Sequence, residues 1–140
     1  MIAVDTNVLL RYLLQPVDSK NPPWQTQQAI KLIQSSDSVF VSDIVVAKLE
    51  WVLEAAFELN RQDIHRIIYR LASHQQFCFE DWPALHCALM DYKTHPKVDL
   101  SDCLIARRAV SAGVETLYTF ENNKKLGALP IVTSIQKSER

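Results

Sequence analysis

The chain has 140 residues, of which 48% are hydrophobic and 22% are charged, and these proportions are typical of a globular protein rather than a disordered or fibrous one. We therefore expect a single domain over residues 1–140. The two glycines, Gly113 and Gly127, exclude a Walker A loop, a GxGxxG turn and a GxSxG elbow, because each of these motifs needs closely spaced glycines. Fifteen basic and sixteen acidic side chains give a formal net charge of −1, so any contact with nucleic acid must be local.

Cysteine and histidine usage argues against disulfides and against a zinc site. The three cysteines have no CxxC spacing and lie among apolar residues, as reduced, buried cysteines do. The four histidines form neither an HExxH motif nor a paired spacing with cysteine. No run of about 18 apolar residues occurs, and the N-terminus lacks the basic region and apolar core of a signal peptide. These features predict a cytoplasmic protein that is not inserted in a membrane.

Short apolar strands and helices alternate along the first half of the chain. The predicted elements are a strand at 2–5, a helix at 8–14, a loop at 15–23, a helix at 24–34, a strand at 38–41 and a long helix at 43–59. Ser42 is suited to cap the last of these helices, and Asp43 interacts favourably with its dipole.

The second half of the chain repeats this alternation. The predicted elements are helices at 62–72, 82–92 and 100–112, strands at 77–80, 116–120 and 131–133, and a short helical turn at 124–126. Asp81 is suited to cap the helix at 82–92, and Gly113 to end the helix at 100–112. The strands are continuous apolar runs, which are typical of a parallel sheet covered by helices on both faces. We therefore predict a three-layer α/β fold with a short central parallel sheet of about four to five strands.

Two acidic residues lie at the carboxyl ends of predicted strands. Asp5 ends the first strand, and Glu121 comes after the strand at 116–120. Ligands of parallel sheets bind beyond the carboxyl ends of the strands, so both side chains are candidates for a functional site. Asp5 also lies between two apolar segments, where an unpaired carboxylate would be costly.

Three further acids have two interpretations each. Asp99 and Asp102 are three residues apart at a helix start, which places both carboxylates on one face near the positive end of the dipole, but a capping box explains the same pair. Glu50 begins a stripe with Glu54 and Glu58, and such a stripe is typical of a solvated helix face. The sequence pattern alone leaves both the structural and the functional interpretation open.

A cluster of these carboxylates would need a compensating cation. Two carboxylates about 4 Å apart repel each other by roughly 4 kcal/mol at an effective dielectric constant of about 20. Mg²⁺ or Mn²⁺ suits such a cluster better than a soft metal, because hard divalent ions prefer oxygen ligands and no cysteine or histidine accompanies the acids.

Four segments of the chain, in this order, resemble the PIN-domain family of ribonucleases, and in particular the VapC-type toxins of toxin–antitoxin pairs. The segments are Ile-Ala-Val-Asp-Thr-Asn-Val-Leu-Leu, Ser-Asp-Ile-Val-Val-Ala-Lys-Leu-Glu-Trp, Asp-Leu-Ser-Asp-Cys-Leu-Ile-Ala and Leu-Tyr-Thr-Phe-Glu-Asn-Asn-Lys-Lys-Leu. The resemblance covers nearly the whole chain and implies a PIN-like domain.

The resemblance also implies that five acids form a metal site and that two polar neighbours orient one of them. The principal acids implied are Asp5, Glu50 and Asp102, supported by Asp99 and Glu121, with Thr6 and Asn7 orienting Asp5 and its water shell. The family usually has Asp where this chain has Glu121, and the additional methylene would move that carboxylate to a water-mediated contact.

By the same resemblance, the expected activity is hydrolysis of RNA phosphodiester bonds with Mg²⁺, or Mn²⁺, as the cofactor. Basic side chains near the acids would contact RNA phosphates. These side chains are Arg107, Arg108, Lys124, Lys125 and Arg11. A solvated helix face explains the two neighbouring pairs equally well. The resemblance further implies inhibition by a small VapB-like antitoxin and a homodimer.

Two alternatives have less support. A phosphatase of the haloacid dehalogenase kind needs Asp-x-Asp after its first strand, and Asn7 occupies the second of these positions. A non-catalytic or housekeeping PIN module, used in RNA binding or assembly, is favoured only by Glu121.

Overall fold

The structure, a computed structural model, describes residues 1–14, 23–122 and 125–138. In these ranges the chain forms six α-helices, five short strands and one 3-10 turn. In chain order they are β1 (Ile2–Ala3), α1 (Thr6–Leu14), α2 (Pro23–Gln34), β2 (Val39–Val41), α3 (Asp43–Ala55), α4 (Arg61–Ser73), β3 (Phe77–Phe79), α5 (Trp82–Thr94), α6 (Leu100–Ser111), β4 (Leu117–Thr119), the 3-10 turn (Leu126–Ala128) and β5 (Val132–Ser134). The alternation of strands and helices confirms the predicted α/β class.

All of the described strand pairs are parallel. β1 pairs with β2 and β2 with β3, so that Ile2 lies opposite Val39 and Val39 opposite Phe77. β4 pairs with β5, with Leu117 opposite Val132. The small parallel sheet predicted from the sequence is therefore present as two ladders, one of three strands and one of two. Because parallel strands end at the same edge, the segments that follow β1, β2 and β3 are neighbours at one end of the sheet.

The core lies between the strands and the helices. Val39 and Val41 of β2 are fully buried, as the central strand of a ladder requires. Leu9 of α1, Leu49 of α3 and Leu100 of α6 are also fully buried. Burying such a leucine stabilises the fold by roughly 1.5–3 kcal/mol relative to an exposed one. The first residue of α6 is therefore anchored in the core, next to the candidate acids of this helix.

Three helix ends follow the sequence prediction. At the start of α3, the Ser42 hydroxyl accepts a hydrogen bond from the Val45 N–H at 3.2 Å. At the start of α5, the Asp81 carboxylate accepts one from the Ala84 N–H at 2.9 Å. Gly113, just after α6, has a φ of 81°, the left-handed conformation that favours glycine.

Helix α3 is shorter than the sequence pattern predicts, because it ends at Ala55 and not near residue 59. The Leu59 N–H donates to the Leu53 carbonyl at 3.1 Å, and Glu58 has a φ of 54°. This arrangement is a left-handed helix termination in which a glutamate takes the position that glycine usually occupies. The missing glycine is the reason that the sequence showed no stop signal here.

Two sequence predictions fall partly outside the described residues. Of the loop predicted at 15–23, residues 15–22 lie outside them. The helical turn predicted at 124–126 is found as the 3-10 turn two residues later, and residue 124 also lies outside the described ranges. Within the part of the chain that the structure describes, no helix has the length and apolar character needed to cross a membrane.

Candidate active site

Asp5 lies between β1 and α1, beyond the carboxyl end of the first strand. Its Oδ1 accepts a hydrogen bond from the Val8 N–H at 3.1 Å, so the carboxylate caps α1 while the residue stays exposed. It therefore lies at the positive end of the α1 dipole, which stabilises its charge. Thr6 and Asn7 form the first turn of α1 beside it, and Asn7 is exposed. The predicted position of Asp5 at a strand end is thus observed.

Glu50 is only 1% exposed and connects α3 to the start of α6. Its Oε2 accepts a hydrogen bond from the Leu100 N–H at 2.6 Å, and its Oε1 accepts one from the Ser101 N–H at 2.9 Å. The solvated-face interpretation is therefore wrong for Glu50. Asp99 occupies the N-cap position of α6 without a side-chain capping bond, so the capping-box interpretation is wrong as well. A distant glutamate performs the capping.

Some groups around Glu50 disfavour its negative charge, and others favour it. Burial raises the pKa of this carboxyl group above its ordinary value, the hydrogen bonds from Ser101 and Leu100 act in the opposite direction, and the charge of Asp99 adds to the increase. The two N–H groups belong to the first turn of α6, where the helix dipole is positive. The start of α6 therefore stabilises an anion that would otherwise be costly to bury.

Asp102 is half-buried in the first turn of α6, among other carboxylates. Burial raises its pKa above the ordinary value, the charges of Glu121 and Asp99 raise it further, and the charge of Lys125 lowers it. Like charges that share a site favour the protonated form of a carboxyl group. The region around Asp102 thus carries more negative charge than Lys125 compensates, and a bound cation would relieve the repulsion.

Glu121 lies two residues after the end of β4. Its Oε2 accepts a hydrogen bond from the Leu126 N–H at 3.2 Å, and its carbonyl accepts one from the Ser134 hydroxyl at 2.5 Å. A Cβ atom at Gly127 would overlap the Ser134 hydroxyl and the Asn122 carbonyl. A residue without a Cβ atom is therefore required at this position for the 3-10 turn to approach Ser134 and Asn122 so closely.

The structure brings the acids together only in part. The charges of Asp99 and Glu121 both act on Asp102, and the charge of Asp99 also acts on Glu50, whose carboxylate accepts hydrogen bonds from the start of α6. Asp5, after β1, shares no hydrogen bond or ion pair with these acids among the described residues. In the same ranges, no three His, Cys, Asp or Glu side chains form a preformed cage for a metal ion. A metal held here would keep part of its water shell.

Arg107, one of the basic residues expected to contact RNA, forms an ion pair instead. Its Nε and Nη2 donate to Oδ2 and Oδ1 of Asp91 at 2.6 and 2.9 Å. This two-point contact is the strong geometry for arginine and carboxylate, and it joins α6 to α5. A phosphate contact by Arg107 stays a prediction, and it would have to compete with Asp91.

Arg108 is surrounded by three carboxylates at the ends of β2 and β3. Its Nε lies 3.0 Å from Asp43, its Nη1 2.9 Å from Asp81 and its Nη2 3.7 Å from Glu80. Glu80 also accepts a hydrogen bond from the Asp43 N–H at 2.9 Å. We call these four residues the Arg108 cluster. The cluster connects the last turn of α6 to the starts of α3 and α5. Arg108 therefore holds these three helices together through its ion pairs.

The other cations predicted to contact RNA differ in their surroundings. Lys125 is exposed and close enough to Asp102 to lower the pKa of that carboxyl group. Arg11 is buried in α1. Lys124 lies outside the described residues. Of the two that the structure describes, Lys125 and Arg11, Lys125 is the one that lies beside the acids.

Sequence reasoning missed Arg61, which supports the segment before α6. One of its nitrogens, Nη2, donates to the carbonyls of Tyr92, His95 and Val98 at 2.6, 3.0 and 2.9 Å. Its guanidinium carbon also lies 3.8 Å from the centre of the Tyr92 ring. These carbonyls belong to the end of α5 and to the loop that leads to Asp99. No local pattern marks Arg61 for this role, because its partners are more than thirty residues away.

Comparison with known proteins agrees with this arrangement. The family model described as the PIN domain matches residues 2–127, nearly the whole chain. A protein named VapC ribonuclease, from Aquifex aeolicus, is 27% identical over 128 residues, which cover 91% of this chain and 93% of that protein. The residues matched by the family model include all five candidate acids. The chain therefore belongs to the PIN-domain family.

Proposed function

We propose that this protein is a ribonuclease that hydrolyses RNA phosphodiester bonds with the help of Mg²⁺ or Mn²⁺. The observation that carries the proposal is the site of Asp102, where burial and the charges of Glu121 and Asp99 raise the pKa of the carboxyl group. A half-buried carboxylate with two further acids nearby is suited to a hard divalent cation. The family of the chain and its similarity to a protein named VapC ribonuclease support the same activity.

The residues present fit such a cation in their chemistry. Asp5 and Asp102 would hold it, with Asp99 and Glu121 in support, and water would complete the coordination, as is usual for Mg²⁺. Bound there, the ion would supply positive charge beside the oxygens of the reacting phosphate.

The chain itself would orient the acids and the substrate. Glu50 fixes the start of α6 and with it the position of Asp102. Thr6 and Asn7 stand beside Asp5 in the first turn of α1 and would order its water shell. Lys125, near Asp102, would contact a phosphate oxygen of the RNA.

We further propose that the protein acts in the cytoplasm as the toxin of a toxin–antitoxin pair, with a VapB-like antitoxin as its inhibitor. The name of the relative, VapC ribonuclease, supports this role. A homodimer is also proposed. Ile44 and Trp51 of α3 are exposed and offer apolar surface for such contacts.

The proposal is tested with purified protein freed of metal. Mn²⁺ is expected to raise the melting temperature and to enable cleavage of total cellular RNA. Asp5→Asn and Asp102→Asn are expected to lose cleavage by about 100-fold or more, because each removes a ligand of the cation that would neutralise charge at the reacting phosphate. Induction of the wild-type chain is expected to arrest growth, and that of Asp5→Asn is not.

Asp37→Asn is the matched control, because Asp37 is exposed and precedes β2, at the opposite end of the strands. It is expected to cleave like the wild type. Undiminished cleavage by Asp5→Asn would overturn the proposed site. Metal binding and RNA binding without any cleavage would instead indicate the non-catalytic PIN module.

A further inference from the structure

A groove between α1 and α2 lies next to the candidate active site without belonging to it. Its volume is about 400 Å³. The residues that matter for its chemistry are Asn7, Val8, Arg11, Trp24, Gln28 and Leu32. We call it the α1–α2 groove. It combines an apolar floor with one cation and several amide groups.

The cation of this groove, Arg11, has no partner for its charge among the described residues. The residue is only 5% exposed, and its Nε and Nη1 are buried without a hydrogen-bond acceptor. Arginine stays protonated in proteins, so it cannot avoid this cost by losing a proton. A buried guanidinium with unused donors is unfavourable until an anion supplies the acceptors. The α1–α2 groove is therefore prepared for an anionic ligand.

The position of Arg11 relates this anion to the site of hydrolysis. Asn7 and Arg11 are four residues apart and share one face of α1, and Asp5 caps the same helix. Arg11 lies six residues beyond Asp5, which corresponds to about 9 Å along the helix axis. An anion bound by Arg11 would thus be close to the candidate active site without reaching it.

The opposite wall of the groove offers a flat aromatic surface. Trp24, in the first turn of α2, is 63% exposed although tryptophan normally buries most of its ring. Gln28 follows it by one turn on the same face of α2 and carries an amide donor and acceptor. An aromatic face beside amides and an arginine is the combination that binds the bases and phosphates of single-stranded nucleic acid.

We infer that the α1–α2 groove is a nucleotide subsite for single-stranded RNA, in which Arg11 binds a phosphate that is not cleaved and Trp24 stacks on a base. This inference rests on the proposed ribonuclease function and specifies where the substrate strand runs. The planar guanidinium can donate two parallel hydrogen bonds to one phosphate. An acidic protein segment would also satisfy Arg11, but it would leave the exposed ring of Trp24 without a stacking partner.

The experiment measures RNA binding apart from cleavage. Fluorescence anisotropy is recorded with a labelled single-stranded RNA of about 12 nucleotides, in EDTA, which removes divalent ions. Arg11→Met and Trp24→Ala are each expected to raise the dissociation constant by about tenfold. Because methionine removes an unpaired buried charge and keeps most of the volume, Arg11→Met is also expected to melt at the same temperature as the wild type or higher.

Two matched variants control for general effects of charge and ring loss. Arg66 of α4 is exposed and, among the described residues, pairs with Asp63 in the next turn back, and Tyr69 of the same helix is an exposed aromatic residue. Arg66→Met and Tyr69→Ala are expected to change the dissociation constant by less than about twofold. If Arg11→Met fails to fold, Arg11→Lys and Trp24→Ala decide the question. Lysine keeps the charge without the two-point geometry and is expected to weaken binding by about fivefold.

The outcomes separate the subsite from the proposed function. Wild-type affinity in Arg11→Met and Trp24→Ala, together with Mn²⁺-dependent cleavage by the wild type, would overturn the subsite and leave the ribonuclease proposal intact. A wild-type protein that neither binds nor cleaves RNA would overturn both. A ten-residue glutamate peptide serves as the second probe. If it binds in an Arg11-dependent manner while RNA does not, the groove takes an acidic protein segment and the nucleotide assignment is wrong.

Discussion

Glu50 combines burial and charge in one side chain, two properties that normally exclude each other. Its carboxylate is tolerated in the core because two backbone N–H groups of α6 donate to it. Those N–H groups would otherwise lack partners, since Asp99 at the N-cap position does not supply one. The carboxylate and the helix start are therefore each satisfied by the other, and removing either would leave a buried polar group unpaired.

Glu50→Gln is expected to lower the free energy of unfolding by about 1–3 kcal/mol, because the amide NH₂ cannot accept a hydrogen bond and one N–H of α6 is left unpaired. Urea unfolding measures the change. Glu58→Gln, at an exposed position, is expected to change it by less than about 0.5 kcal/mol.

The same variant distinguishes capping from metal binding at Glu50. If Glu50 acts through α6, Glu50→Gln retains the rise in melting temperature with Mn²⁺. Loss of that rise in a folded variant would instead make Glu50 a metal ligand. An unfolding free energy equal to that of the wild type would contradict the capping role.

Asp102, a proposed metal ligand, carries a charge that disfavours the metal-free fold. Its pKa is raised above the ordinary value of 3.8 by burial and by Glu121 and Asp99. The carboxyl group of Asp102 thus binds a proton more tightly in the folded state than in the unfolded state. The protonated group therefore stabilises the fold at low pH. This stabilisation decreases as the pH rises from the pKa of the unfolded state, and it is lost above the pKa of the folded state.

Asp102→Asn is therefore expected to melt at a higher temperature than the metal-free wild type at about pH 7, and the difference is expected to shrink towards about pH 4. Thermal denaturation in EDTA over this pH range measures both effects, and Asp37→Asn, far from other acids in sequence, should show neither. A destabilised Asp102→Asn protein at neutral pH would mean that the carboxylate is compensated by contacts within the chain.

At the scale of elements, the start of α6 is held from three sides. Leu100 anchors it in the core, Glu50 of α3 caps it, and Arg61 of α4 binds the carbonyls of the segment that precedes it. The candidate acids Asp99 and Asp102 sit on this short stretch. Their positions therefore depend on residues that would never touch a substrate.

Arg61→Lys is expected to lower the free energy of unfolding by about 2 kcal/mol and to reduce RNA cleavage, because an ammonium group loses the contact with the Tyr92 ring and reaches fewer of the three carbonyls. Arg66→Lys, at an exposed position of the same helix, is the matched control. The unfolding free energy and the cleavage rate are measured in parallel. Full stability in Arg61→Lys would show that its three hydrogen bonds are replaceable by water.

The helix caps could be predicted because their signals are local. Ser42, Asp81 and Gly113 each act on neighbours within a few residues, and all three are found as expected. Glu50 and Arg61 could not be assigned in the same way, since their partners are brought close only by the packing of α3, α4 and α6. For the same reason, the pairing of Arg107 with Asp91 escaped the sequence pattern.

For the whole molecule, the α/β class followed from the alternation of apolar strands with helices, and the family followed from four ordered segments. The division of the strands into two ladders could not be derived, because period and composition do not specify which strand ends form hydrogen bonds. The candidate acids were named from the sequence, but their surroundings were not. Burial and neighbouring charge are properties of the folded chain, and they give Glu50 and Asp102 their raised pKa values.

The Arg108 cluster and the Glu50 cap lie at opposite ends of the contact between α3 and α6. Arg108 meets Asp43 at the first turn of α3, and Glu50 meets Leu100 at the first turn of α6, so the two helices run antiparallel. Sliding one helix by a single turn, about 5.4 Å, would break the Arg108–Asp43 ion pair and the Leu100–Glu50 hydrogen bond at once. The helix pair is thus locked in register, and the spacing between Glu50 and Asp102 is preserved when the surrounding loops change in length or sequence.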